Sequence, residues 1–416
     1  MPTTKIDVGP KLDIFLATSP PHRYVATDTI FGEVQRIQHL VSADAKVTIK
    51  LRGRAKTKIT SKVDVSYLNV NVWNRDRDDI IEIEQTIYSG PVHIPEDSQE
   101  AQGWPFSIEI PQVYTSAAGV TALLPNSFNV FHKDDEGKIE AFIEYALFAE
   151  LTATVSGSLK KFEATLPIHI RQLTPILTTL DTSDILDKAH VVKSRQLMPG
   201  SEDVERSTSK KLKNLFKSSP AAAFAFDIQV TLPDIIQLEG PNPLPLKVRV
   251  IPDRSKTSQE ILNVPQKMTL TWVSANIVSF TEATPNTMIR HVEQRSNFRI
   301  WEMVRALGKT NIEIPWSKEP EDIDVGELIN LRFGADRVVP SVKRSNGLPM
   351  IVPCEFPLFP DHETNNIKHA NFLEWEIIGR IGGEKFTTKG VRPVFVVCLG
   401  EKDAYQPRPI TRERRH

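Results

Sequence analysis

Residues 45–60 read AKVTIKLRGRAKTKIT, and this stretch decides the fold class. Val47, Ile49 and Leu51 alternate with Lys46, Thr48, Lys50 and Arg52. That period of two places apolar side chains on one face of a strand and polar ones on the other. Working outward, Ile81, Ile83 and Ile87 repeat the pattern around Glu82 and Glu84. Phe106, Ile108 and Ile110 continue it, followed by Ile143, Tyr145, Leu147, Ala149 and Leu151. Leu166, Ile168 and Ile170 close the first half. Turn signals stand between these runs at 74–79, Gly90-Pro91, 95–103, Pro125-Asn126, 134–137 and Ser156-Gly157. Short strands joined by polar turns indicate an antiparallel sandwich.

Past residue 174 the composition turns polar and rich in Ser, Thr, Lys and Arg, up to about residue 220. A structureless loop of this length does not belong inside one compact domain, so it reads as a linker. Within it, residues 181–188 fit two helical turns with Asp181 or Thr182 as N-cap. Alternation resumes with Phe226, Ile228 and Val230, then Leu246, Val248 and Val250, then Met268, Leu270 and Trp272. Leu373, Trp375 and Ile377 precede a hairpin turn at Ile381-Gly382-Gly383-Glu384 and a last strand over 394–399. The expected fold is all-β, with two antiparallel immunoglobulin-like β-sandwich domains in tandem. Their boundaries are 1–174 and 223–400, with a polar basic linker at 175–222 and a basic tail at 401–416.

The 416 residues leave room for two or three domains. Lys and Arg number 51 against 52 Asp and Glu, a net charge of −1 that speaks against a bulk nucleic-acid binder. Hydrophobic residues at 40% exclude a wholly disordered chain. Cys354 and Cys398 alone cannot make a disulfide scaffold or a multi-cysteine zinc module. Prolines (30) outnumber glycines (19), which suits many short strands bounded by edges, bulges and turns. No stretch approaches the ~18 apolar residues of a membrane span. Residues 1–10 lack a basic segment followed by an apolar run, so an intracellular soluble protein is expected.

The search for chemistry returns little. His362 and His369 are seven residues apart, whereas a metalloprotease helix needs histidines at i and i+4. Gly308-Lys309-Thr310 resembles the end of a phosphate loop, but Met303 stands where its first glycine belongs. Gly379 and Gly382-Gly383 around Arg380 precede no helix pattern, and no Gly-x-Ser-x-Gly elbow occurs. Both cysteines lie beside strand-like apolar residues and read as core. A non-enzyme without catalytic residues, metal or cofactor is expected.

Two basic surfaces remain. Lys46, Lys50, Arg52, Arg54, Lys56 and Lys58 are all even-numbered, so an uninterrupted strand projects them from one face. They form either a stripe that captures acidic or phosphorylated cargo tails, or a solvated outer face paired with Glu82 and Glu84. A bulge at Gly53 would break the stripe. The second surface is 206–217, RSTSKKLKNLFK. As a helix it would cluster Leu212, Leu215 and Phe216 among Arg206, Lys210, Lys211, Lys213 and Lys217, a fit for anionic lipid. Phosphate on Ser207, Thr208, Ser209, Ser218 or Ser219 would oppose that attraction. The other reading is a flexible interdomain loop.

Five blocks in order resemble the arrestin superfamily, above all the fungal arrestin-related (α-arrestin) proteins. They are HRYVATDTIFGEVQR (22–36), AKVTIKLRGRAK (45–56), GWPFSIEIP (103–111), LPNSF (124–128) with Ile143-Glu144-Tyr145, and Leu166-Pro167-Ile168. The second half is similar more loosely, through Pro245-Leu246-Lys247-Val248 and residues 367–378. The resemblance implies a non-enzymatic trafficking adaptor, cytoplasmic and peripheral to plasma membrane or endosomes. Such a protein binds cytoplasmic segments of transporters or receptors and promotes their ubiquitin-dependent endocytosis and sorting. It also implies recruitment of HECT-type ubiquitin ligases through Pro-Pro-x-Tyr, from which this chain departs. Pro20-Pro21-His22-Arg23-Tyr24 has one residue too many, which turns the tyrosine about 120° off the proline face of a polyproline helix. A retromer-type structural scaffold, assembling a sorting coat without ubiquitin chemistry, stands as the alternative.

Overall fold

The computed structural model describes residues 5–9, 11–20, 22–65, 68–96, 98–116, 119–135, 137–174, 181–199, 221–285, 288–298, 311–314, 322–334, 337–338, 352–353 and 357–399. The first half comprises β1 (Asp13–Leu16), β2 (Arg23–Val25), β3 (Thr29–Arg36), β4 (Leu40–Val65), β5 (Leu68–Ile94) and β6 (Gln102–Glu109). It continues with β7 (Val113–Thr115), β8 (Thr121–Leu123), β9 (Phe128–Lys133), β10 (Gly137–Val155) and β11 (Ser158–Arg171). Among the described residues, one sheet runs β1-β3-β6 and the other β2-β11-β10-β4-β5, with β9 also on β10. The odd-numbered Val47, Ile49, Leu51, Ala55 and Ile59 of β4 are fully buried. They share one core with Ile14, Ile30, Val34, Trp104 and Phe106 of the facing sheet. Each fully buried aliphatic side chain contributes about 1.5–3 kcal/mol, which makes this alternation strong enough to set the register.

The second half comprises β12 (Thr182–Ser194), β13 (Ala222–Pro233), β14 (Ile235–Leu238), β15 (Lys247–Pro252), β16 (Gln266–Ala283), β17 (Arg290–Phe298), β18 (Asn311–Ile314) and β19 (Ile323–Asp324). A short helix, Val325–Ile329, precedes β20 (Arg337–Val338), β21 (Val352–Pro353), β22 (His362–Glu363), β23 (Ile367–Ile381) and β24 (Glu384–Cys398). The sheet β12-β13-β15-β19 faces the sheet β14-β24-β23-β16-β17. Phe224, Phe226 and Ile228 of β13 share its core with Leu270, Trp375, Ile377 and Val396. The protein is therefore all-β, with two sandwiches in tandem. Two short pairings, β2 on β11 and β14 on β24, are parallel rather than antiparallel.

The structure corrects three local expectations. Residues 181–188 are not helical turns: they lie in β12, laddered to β13 from Thr182 opposite Pro233 to Ser194 opposite Ala222. Thr182, one of the two N-cap candidates, is itself a ladder residue, and Asp184 accepts hydrogen bonds from Gln229 Nε2 and Thr231 Oγ1 across that pair. A ladder of backbone bonds outweighs the small preference of a few local residues for a helix. The segment 175–222 thus contains a strand of the second half. Residues 74–79 and Gly90-Pro91 are not turns either, because β5 runs through both. Arg75, Arg77 and Asp79 lie directly opposite Lys58, Lys56 and Arg54, and Pro91 falls in a register shift where it faces no ladder partner. The expected turn at Gly382-Gly383 is present, with φ of 54° and 79°, a left-handed pair that favours glycine.

The halves meet along a buried seam. Phe128 of β9 packs edge-on against Phe359 (ring centroids 4.9 Å apart) and His362 (4.5 Å). Asn366 Nδ2 donates to the Ala55 carbonyl at 3.3 Å, and the Tyr114 hydroxyl donates to that of Glu363 at 3.2 Å. Ala283, Val292 and Ile367 of the second half join the first core.

Candidate functional site

The basic stripe sits on β4, held between β5 and β10. Pairing with β10 is continuous from Ala45 to Ser61, so β4 is not bulged within that span. The register shifts at Val47/Thr48 and Gly53/Arg54 lie against β5, where Ile87 and Ile80 are the extra residues. Lys46, Lys50, Arg52, Arg54, Lys56 and Lys58 therefore share the outer face. The strand's other face is core, so the stripe follows directly from the alternation.

Most of the stripe is charge-compensated. Lys50 Nζ lies 2.9 Å from both Glu82 and Glu84. Arg52 reaches Asp79 at 3.0 Å and Glu82 at 3.2 Å, and Arg54 reaches Asp79 at 3.8 Å. Lys56 pairs with Glu144, and Lys58 lies 3.6 Å from Glu140, both acids standing on β10. Lys46 is exposed and makes no ion pair among the described residues. The pairing with Glu82 and Glu84 is the arrangement expected of a solvated outer face. It also reaches Asp79, Glu140 and Glu144, which the sequence did not single out.

The electrostatics follow from these contacts. Hydrogen bonds to Glu84 and Glu82 raise the Lys50 ammonium above its ordinary value, and the bond from Lys50 holds Glu82 below the usual carboxylate range. Burial pushes Asp79 up, but hydrogen bonds from Arg77 and Arg52 outweigh it and leave the group low. Burial lowers Arg54, and the like charges of Arg52 and Arg77 lower it further. Exposed ion pairs are individually weak. Lys50→Ala should accordingly change stability by no more than about 1 kcal/mol in urea unfolding, with the difference shrinking at high salt. A loss of several kcal/mol would show that the pair is structural.

Phe142, Phe148 and Phe131 on β10 and β9 carry the stems of this face. Lys56 Nζ lies 5.6 Å from the Phe142 ring centroid, and the Arg54 guanidinium 5.2 Å from that of Phe148. Where β4 and β5 extend past these rings, a cavity of about 480 Å³ is lined by Lys56, Thr57, Lys58, Arg75, Asp76, Arg77, Glu140 and Phe142. Arg75 and Arg77 lie within 74–79, where the composition carries a turn signal and not a strand pattern. Their odd-numbered spacing with Asp79 was the available signal.

The other sequence candidates fare differently. Arg206, Ser207, Thr208, Ser209, Lys210, Lys211, Lys213, Lys217, Ser218 and Ser219 lie outside the described residues, as do Gly308-Lys309-Thr310 and Cys354. Cys398 is a buried member of the second core. Burial raises its thiol to about 11. Tyr24 is also buried and bonds Thr18 through its hydroxyl at 2.9 Å, so a WW-type domain cannot reach it without displacing β2. His362 and His369, seven apart in sequence, are direct cross-strand partners with rings stacked 5.4 Å apart. Their Nδ1 atoms bond the Pro360 carbonyl and the Thr281 hydroxyl, leaving both buried Nε2 atoms without a hydrogen-bond partner.

Fold and face together define a tandem β-sandwich protein whose first sandwich presents a compensated charged sheet. Among the described residues no helix is long and apolar enough to cross a membrane. No family model matches the chain, and no curated protein matches it.

Proposed function

We propose that the protein is an arrestin-like trafficking adaptor, working by binding rather than catalysis. It docks cytoplasmic segments of membrane transporters or receptors while peripheral to plasma membrane or endosomes, and it promotes their endocytosis and sorting. The observation that carries this reading is the meeting of the arrestin-like blocks in space. A Cβ on Gly32 of the first block would stand 2.6 Å from Phe106 of the third, and one on Gly53 of the second 2.5 Å from Tyr145 of the fourth. Tyr145 donates to the Pro125 carbonyl within its own block at 2.6 Å and lies opposite Ile168 of the fifth.

Cargo binding on the stripe is an exchange of partners. An acidic cargo segment displaces Glu82 or Glu84 from Lys50 and Arg52, at little cost because exposed pairs are weak. The test presents immobilised cytoplasmic segments, acidic and neutralised, to the full chain and to Lys50→Glu/Arg52→Glu. The expected result is retention of the acidic segments and at least tenfold weaker retention by the variant. Equal retention removes the stripe as the cargo site. Capture of retromer-type coat subunits with no transporter or receptor segment retained overturns the adaptor reading in favour of a scaffold.

A further inference from the structure

The two sandwiches differ in what their outer faces present. On β4 the outward side chains are charged or polar, the usual arrangement where one face of an antiparallel sheet meets water. The outer face of the second sandwich's larger sheet is apolar over much of its middle. Pro393 of β24, Phe372 of β23 and Val278 of β16 stand opposite one another in one row across that sheet. On one side of the row lie Phe395, Ala370 and Phe280, and on the other Val391, Glu374 and Asn276. Phe395 is 65% exposed, Val391 61% and Phe280 37%. The Phe280 and Phe372 rings pack edge-on with centroids 5.3 Å apart, which joins the patch across β16 and β23. Exposed aromatic and aliphatic side chains grouped in this way mark an interaction surface.

Charge at the margins selects what covers it. Outward along β23 come Lys368, Ala370, Phe372, Glu374 and Glu376, so a base and an acid stand at equal distances on either side of Phe372. Glu374 is satisfied within its own sheet, 3.1 Å from Asn276 Nδ2 and 3.6 Å from Arg295 Nε. Lys368 is exposed and has a long contact of 3.8 Å with Glu363. Glu376 is opposite Lys389 on the ladder but makes no ion pair among the described residues.

A second copy laid face to face, strands antiparallel and the two-fold axis along the Phe372 row, sets Lys368 of each copy over Glu376 of the other. The symmetry makes that contact twice. Phe395 then lies over Val391 of the other copy, and the central rows cover each other. Sheets stack about 10 Å apart, a gap that a lysine and a glutamate reaching from opposite sides can span. Other registers fail on charge. An axis along β23 puts Lys368, Glu374 and Glu376 each over its own like. Moving the antiparallel axis to the Glu374 row sets Lys368 over Arg380 and Phe372 over Glu376. Moving it to the Ala370 row sets Phe372 over Lys368. We propose that the protein forms a two-fold dimer through this face, with β23 antiparallel to β23 of the second copy. A bilayer would also cover the apolar rows, but it gains nothing from an acid and a base at opposite margins. The inference does not depend on the adaptor reading.

Sedimentation equilibrium of the full chain, at loadings up to about 100 μM, measures the association. A reversible monomer–dimer equilibrium is expected. Phe395→Glu should weaken it by about tenfold or more, since the side chain sits near the middle of the contact. Lys368→Glu and Glu376→Lys should each weaken it, and the two together in one chain should restore it to within about threefold of the parent. An equimolar mixture of the two single variants should associate more tightly than either alone, a gain that misfolding cannot produce. Lys46→Glu on the first sandwich should leave the equilibrium unchanged. A chain that stays monomeric throughout, a dimer indifferent to Phe395→Glu, or charge variants that do not rescue each other overturns the proposal. So does a monomer that sediments with neutral phosphatidylcholine vesicles and loses them in Phe395→Glu, which assigns the face to a membrane.

Discussion

Acidification from pH 7 to 4.5 is expected to cost the protein several kcal/mol of stability through the two histidines at the seam. Burial holds His362 at about 4. Burial, with the neighbouring charge of His362, holds His369 at about 3. In the unfolded chain both titrate near 6.5. Between those values the unfolded state binds protons that the native state refuses, so stability falls as pH falls. The contribution is complete above about pH 6.5 and is lost progressively below it, at about 1.4 kcal/mol per pH unit for each ring. One neighbour opposes part of this loss: burial raises the Asp361 carboxyl, so the native state takes up that proton before the unfolded chain does. Asp361 is committed to Asn371 and the Val396 N–H, while Glu363 and Lys368 point outward toward each other. His22 and His169 are also lowered by burial and add slope in the same window. The measurement is therefore a comparison of urea midpoints at pH 7, 5.5 and 4.5 for the parent and for His362→Phe/His369→Leu. A parent profile no steeper than that of the variant would falsify a neutral, buried pair. Carboxylates held low, such as Asp79 and Glu82, lose their contribution only at more acid pH.

A larger effect per atom is expected at Gly53. Its φ is unremarkable; what demands glycine is space. An added Cβ would lie 2.5 Å from Tyr145 Cε1, 2.7 Å from Cδ1 and 2.9 Å from Ile81 Cγ1. The ring cannot step back, because it is 1% exposed and its hydroxyl is tied to the Pro125 carbonyl. Gly53→Ala must therefore strain the core or break that hydrogen bond, and either costs about 1–3 kcal/mol. With both in play we expect a loss of about 3 kcal/mol in urea unfolding. Tyr145→Leu alone is destabilising through lost packing. Combined with Gly53→Ala it should cost well below the sum, because the smaller side chain vacates the space the methyl needs. A Gly53→Ala chain within about 0.5 kcal/mol of the parent, or strict additivity in the double variant, would refute the contact.

Both results turn on features that the sequence displays only partly. Gly53 stands in the open as the one glycine in an alternating run, yet nothing in the run says that Tyr145 lies over it. The two residues are 92 positions apart in sequence and become neighbours only when β10 pairs with β4. The spacing of His362 and His369 in the sequence does not fit a helical metal pair. Their true relation is a hairpin register, which a spacing rule for helices does not test. The basic stripe was read correctly as one face because a strand's period is rigid. Asn, Asp and Arg in a row around Arg75 and Arg77 carry a turn signal, while β5 keeps these residues in a strand by pairing each with β4. The Asp181–Lys188 segment failed for the same reason, local preference being worth tenths of a kcal/mol per residue against a full ladder.

What the amino-acid order determined by itself was the set of strands with one buried face, and hence the all-β class and the tandem arrangement. The physical reason is that burial of alternate side chains is a local, periodic and strong signal. The tertiary structure alone decided which strands stand side by side. From that came the acids that compensate the stripe, the like charges placed opposite one another at Lys56/Arg77 and Lys58/Arg75, and the stacked histidines on the seam. These are properties of residues far apart in sequence and a few ångströms apart in space, where electrostatics and close packing act on distance and take no account of order along the chain.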